Sequence, residues 1–123
     1  MRAKDRTGLL GEEAAAEYLA GQGHRLLERR WRTRTGEIDL ITVEGNELVA
    51  VEVKTRRGLG YGHPFEAITQ QKLRRLQRLL QEYVLHTRMR PAKQRIDAVA
   101  VMLPQEGTAH EAPASLEHLR DLI

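Results

Sequence analysis

The chain predicts an α/β fold with helices packed on a mixed sheet, and three observations predict it. Stretches with a helical apolar period alternate with stretches of period two, in the order α-β-β-β-α-β. Hydrophobic residues are 41% of 123, enough for one core, and the chain is too short for two ordinary domains. A Gly45-Asn46 pair parts two apolar runs, which is a hairpin signature. One domain is therefore expected over residues 1–123, with a core from about 7 to 103 and a C-terminal tail from 104 to 123.

The first helix is expected from Thr7 to about Gly21, with Leu10, Ala14, Ala15, Tyr18 and Leu19 as its apolar stripe and Gly21 and Gly23 as its stop. A strand follows over 24–33, and the hairpin occupies 37–55. Residues 56–63, "RRGLGYGH", read as a mobile basic loop because three glycines fall in eight positions. Pro64 opens a turn or a helix, and Thr69 is the N-cap of a long second helix, "QQKLRRLQRLLQEYVLHT". Leu73, Leu76, Leu80, Tyr83 and Val84 form its apolar stripe, while Lys72, Arg74, Arg75 and Arg78 lie on its other faces. Residues 95–103, "RIDAVAVML", make a further strand, and "SLEHLRDLI" in the tail is an element of unassigned type.

Composition narrows the function classes. No apolar run is long enough to cross a membrane, and "MRAKDRTG" has no apolar signal segment, so a cytoplasmic protein is expected. The absence of cysteine excludes disulfides and thiolate metal sites, and the five histidines lack ligand spacing, so structural zinc is not expected. The net charge of +3 is unevenly spread. Residues 25–95 carry sixteen Lys or Arg against eight Asp or Glu, whereas the rest carry four against nine. A basic middle between acidic ends suits the neutralisation of phosphates, although a plain solvated surface has the same composition.

The hairpin holds the chemistry. With a two-residue turn at Gly45-Asn46, facing residues have numbers that sum to 91, which places Asp39 opposite Glu52 and Glu37 opposite Lys54. Alternation puts these four on one face with Ile41, Ala50, Val43 and Leu48. Opposed Cβ atoms lie about 5 Å apart, and two carboxylates at that distance repel by roughly 3 kcal/mol at an effective dielectric near 20. Lys54 offsets part of this. Mg²⁺ or Mn²⁺ would offset more, since both prefer carboxylate oxygen and keep water in their other positions. An exposed ion-pair lattice is the structural alternative.

Other residues have two readings each. Arg56 and Arg57, beside the glycine-rich loop, are phosphate clamps or a solvated pair. Lys72 and Arg75, on the polar side of the second helix, are nucleic-acid contacts or ordinary surface. Trp31 is expected as packing rather than a base-stacking platform. Asp97 pairs with Arg95 and is not catalytic, and His63 alone in its loop carries little.

Several tracts together resemble a known family. "GEEAAAEYL" (11–19), "LERRWRTRTGEIDLI" (27–41), "VEVKTR" (51–56), "HPFEAITQQKLRRL" (63–76) and "RIDAVAV" (95–101) resemble the YraN family of small bacterial proteins. Its signature belongs to the PD-(D/E)xK nuclease superfamily, which includes restriction endonucleases and archaeal Holliday-junction resolvases. The resemblance implies a restriction-endonuclease-like core and a metal-dependent endonuclease acting on DNA more than RNA, with branched or structured DNA among its substrates. A non-catalytic nucleic-acid-binding protein of the same fold is the alternative. It implies Asp39 and Glu52 as metal-binding acids, Lys54 as the residue that positions water or stabilises charge, the Val53 carbonyl as a further ligand and Glu12 as a helix-borne acid. Glu37, Gln71 and Lys72 match further family positions, with Glu37 and Gln71 bordering the ligands. Ile38-Asp39 stands where the superfamily signature has proline-aspartate, and His24, Arg30 and Ala50 are mild departures. A homodimer would suit a two-fold junction.

Overall fold

The computed structural model describes residues 2–58, 62–104 and 114–123. Helix α1 spans Ala3–Gly21 and is followed by strands β1 (His24–Thr33), β2 (Gly36–Glu44) and β3 (Glu47–Arg57). A 3₁₀ turn at Pro64–Ala67 leads into helix α2 (Gln70–Thr87), and strands β4 (Lys93–Leu103) and β5 (Ser115–Leu119) complete the fold. The five strands form one sheet in the order β1-β2-β3-β4-β5. Only β3 and β4 run parallel, and α2 is the crossover that joins them. The expected α-β-β-β-α-β core and mixed sheet with flanking helices are therefore present, and the unassigned tail element is the fifth strand.

Each face of the sheet buries one helix. Leu73, Leu76, Leu79, Leu80 and Tyr83 of α2 pack on Ile41, Leu48, Ala50 and Ile96. Ala15, Ala16 and Leu19 of α1 pack on Leu40, Val49, Val51, Val53, Val99 and Val101. The central strands are apolar on both sides because both sides are covered. Thr69 caps α2 as expected, its side-chain oxygen accepting the Lys72 N–H at 3.1 Å.

Three local expectations need correction. Helix α1 starts at Ala3 instead of Thr7, and Leu10 is solvent-exposed at 46%. The buried stripe runs through Gly11, Ala15, Ala16 and Leu19, since a helix pressed close to a sheet buries small residues. Arg56 and Arg57 end strand β3 instead of opening a loop, and residues 59–61 of that loop lie outside the described residues. Trp31 is half-buried and packs edge-on against Tyr83, with ring centroids 5.1 Å apart, as a packing residue does.

Candidate active site

Strands β2 and β3 pair in the expected register, from Glu44–Glu47 at the turn to Leu40–Val51. Asp39 and Glu52 come one step later, where the ladder has stopped. There the Asp39 Oδ2 accepts the backbone N–H of Val53 at 2.8 Å. Strict alternation also ends at this step. Leu40 belongs to the core under α1, and Ile38, two residues away, to the core under α2. Arg30 falls between the Arg29–Leu40 and Trp31–Ile38 pairs and has a φ of +49°. The β2–β3 pairing does not extend to the expected Glu37–Lys54 opposition. Glu37 instead pairs with Arg32, whose Nε donates to it at 3.1 Å.

Asp39, Glu52 and Lys54 are brought together. Lys54 Nζ lies 3.6 Å from Glu52 Oε1, with side-chain exposures of 19% and 14%. The Asp39 and Glu52 carboxyls are within hydrogen-bonding reach of each other. Burial, and then the Glu52 charge, push the Asp39 carboxyl up to about 8, against the opposing pull of the Val53 N–H. Lys72, in the first turn of α2, reaches the same place. The Lys54 ammonium beside it, and then burial, hold the Lys72 amine below the usual lysine range. Two acids and two amines thus converge from β2, β3 and α2.

The other expected residues divide. Glu12 of α1 lies close enough to add to the Asp39 shift, while its Oε1 accepts from Arg30 Nε at 2.8 Å. Arg57 ties α1 to the end of β4, donating from Nε to Thr7 Oγ1 and from Nη1 to the Pro104 carbonyl, both at 3.0 Å. Arg56 donates to the Thr55 carbonyl at 3.0 Å. Gln71 and Arg75 line an open groove on the α2 side, together with Arg34 and Arg78.

The donor set fits a hard cation. Among the described residues no three His, Cys, Asp or Glu side chains form a metal cluster. A bound ion would therefore have the Asp39 and Glu52 carboxylates and would fill its remaining positions with a backbone carbonyl, Val53 being the expected one, and water. That is a set for Mg²⁺ or Mn²⁺ and not for Zn²⁺. The raised Asp39 carboxyl supports the fit, since an added positive charge relieves what disfavours its ionisation.

Residues 11–101 match the model of the uncharacterised protein family UPF0102. The chain belongs to the UPF0102 family. This is the YraN family that the sequence tracts resemble. A UPF0102 protein of Renibacterium salmoninarum is 50% identical over 122 residues, covering 99% of each chain. Another, of an Arthrobacter species, is 47% identical over 120 residues and 98% of each chain. A UPF0102 protein of Rhodococcus opacus is 46% identical over 114 residues, which are 93% of this chain and 92% of its own.

Two features of this UPF0102 chain are not evident from its sequence. Gly11 lies where α1 meets β3, and a Cβ there would be 1.8 Å from Thr55 Oγ1. A glycine inside a helical pattern is the signal that such a close approach leaves. The second is an ionic cluster at the other end of the sheet. Arg95, with 5% side-chain exposure, bonds Glu47 Oε1 at 2.8 Å, Glu44 Oε1 at 2.6 Å and Asp97 Oδ1 at 3.0 Å. His118 Nε2 meets Asp97 Oδ2 at 2.8 Å, and Tyr18 Oη meets His118 Nδ1 at 3.1 Å. Only the Arg95–Asp97 pair was expected.

Proposed function

We propose that this protein is a divalent-metal-dependent nuclease that hydrolyses nucleic-acid phosphodiesters, with DNA, including branched DNA, as substrate. The observation that carries the proposal is the meeting of Asp39, Glu52 and Lys54 at the end of the β2–β3 pairing. The resemblance of the sequence tracts to nuclease-superfamily signatures supports acid, acid and lysine roles for the same three residues. Bound there, Mg²⁺ or Mn²⁺ would neutralise phosphate charge and supply an activated water.

The chain's own residues would do the rest. Asp39 is oriented by the Val53 N–H, so its carboxylate is fixed before an ion or substrate arrives. Lys54, close to Glu52, would stabilise charge that develops on the phosphoryl oxygens. Lys72, beside Lys54, would hold a further phosphate oxygen from the α2 side. A second reading, in which the fold binds nucleic acid without cutting it, is supported by the arginine-lined groove beside α2, which needs no metal.

Plasmid and four-way-junction cleavage with Mg²⁺ or Mn²⁺ separates the two readings. Wild type should nick DNA in metal and not in EDTA, and Asp39→Asn, Glu52→Gln and Lys54→Met should each lose at least ~100-fold in rate. Tight DNA binding without metal-dependent nicking would establish the second reading instead.

A further inference from the structure

Two sets among the arginines of this protein contrast. Around α1 and the ionic cluster one set is neutralised: Arg29 by Glu13, Arg30 by Glu12, Arg32 by Glu37 and Arg95 by Asp97, Glu44 and Glu47. Arg34, Arg74, Arg75 and Arg78 are different. All four are exposed, and among the described residues none forms an ion pair. They line one open groove of about 710 Å³ between α2 and the β1–β2 turn, together with Thr35 and Gln71.

The groove is built by helical spacing and one glycine. Residues 71, 74, 75 and 78 follow a three-and-four period, so they share one side of α2. Gly36, at φ +149°, ends the facing turn, and a Cβ there would stand 3.2 Å from the Arg75 side chain. The bare backbone lets the Arg75 stem lie across the turn. At the near end, Lys72 carries the positive charge over to Lys54 and the candidate active site. Four like charges held in one groove repel each other, and an anionic chain is what removes that repulsion.

We propose that this groove is the track for the phosphodiester backbone of the substrate strand as it leaves the active site. The proposal rests on the nuclease reading for its substrate class and extends it to a binding surface. From Gln71 to Arg78 the helix rises about 10 Å, a reach longer than one nucleotide step of a strand. Arg74, Arg75 and Arg78 are the side chains from α2 that meet its phosphates, and Arg34 closes the groove from the turn.

The test is fluorescence anisotropy with a labelled 25-base-pair DNA duplex in EDTA, across a KCl series. The variants are wild type, Arg74→Gln with Arg78→Gln, and Arg25→Gln with Arg90→Gln. The last pair removes the same charge from two exposed arginines beside the hairpin turn, at the far end of the sheet. The groove variant should weaken binding by about 10-fold or more and reduce the slope of log K against log salt by about 2, while the control pair leaves both near wild type. Equal losses from both pairs, or no loss from the groove pair, would overturn the proposal. Cleavage of the same duplex and of a four-way junction in Mn²⁺ keeps the two claims apart. Groove-dependent binding without cleavage overturns the nuclease reading and supports the groove as a backbone track. Cleavage that ignores the groove variant does the reverse.

Discussion

At the scale of single residues, Asp39 is where the fold works against a charge. Its carboxyl titrates at about 8 in the folded chain and in the ordinary acid range once unfolded. Below about pH 4 both states hold the proton and stability is unaffected. Between about 4 and 8 the unfolded chain releases it first, so rising pH weakens the fold until about 8, where the effect levels off. Asp39→Asn keeps an oxygen for the Val53 N–H and removes the charge. In metal-free buffer at pH 8 it should be more stable than wild type by at least ~1 kcal/mol, since one pH unit corresponds to about 1.4 kcal/mol. At pH 4 the two should coincide. Urea denaturation at both values checks this. Metal binding should expel the same proton, so Mn²⁺ affinity should rise with pH from 6 to 8, by close to tenfold per unit at first and by less near 8.

At the scale of elements, two contacts hold the sheet's partners in place. Gly11→Ala forces a Cβ into Thr55, and α1 must lift from β3 or Thr55 must rotate away. Thermal unfolding should show a loss of about 1–3 kcal/mol, the usual range for overpacking. At the opposite end, Asp97 is fully buried and accepts from Arg95, His118 and the Asp121 backbone N–H. Burial works against its charge, but these three partners more than offset it and hold the carboxyl below the usual range. Its contribution is therefore present above the ordinary carboxylate range and lost as pH falls below it. Asp97→Ala removes the carboxylate that faces Arg95 and His118 Nε2 and should cost about 3 kcal/mol at pH 7, measured by chemical denaturation.

These elements also show what the sequence discloses. The Gly45-Asn46 turn makes the β2–β3 register readable to Leu40 and Val51, because a two-residue turn admits one pairing. Thr69 announces α2 by the hydroxyl that its cap requires. The end of the pairing before Asp39 is not readable, and neither is the positive φ of Arg30 on the neighbouring strand, since arginine carries no mark of that conformation. Strand β5 is hidden for a similar reason. Its five residues alternate too briefly to tell from a helical turn until β4 supplies their partner.

At the scale of the molecule, the sheet separates two kinds of ionic chemistry. One end buries matched charges, with Arg95 enclosed by three carboxylates, and serves stability. The other leaves Asp39 and Glu52 short of positive charge, with Lys54 and Lys72 near them and an unpaired arginine groove alongside. The basic middle of the sequence becomes a localised surface through α2, whose polar side carries arginines while its apolar side is held in the core. The proposed nuclease chemistry depends on a hard cation belonging between Asp39 and Glu52. Calorimetric titration of Mn²⁺ into wild type and Asp39→Asn at pH 8 tests it most directly. One site of millimolar or tighter affinity in wild type, lost in the variant, is the predicted result; indistinguishable titrations of the two proteins would contradict it.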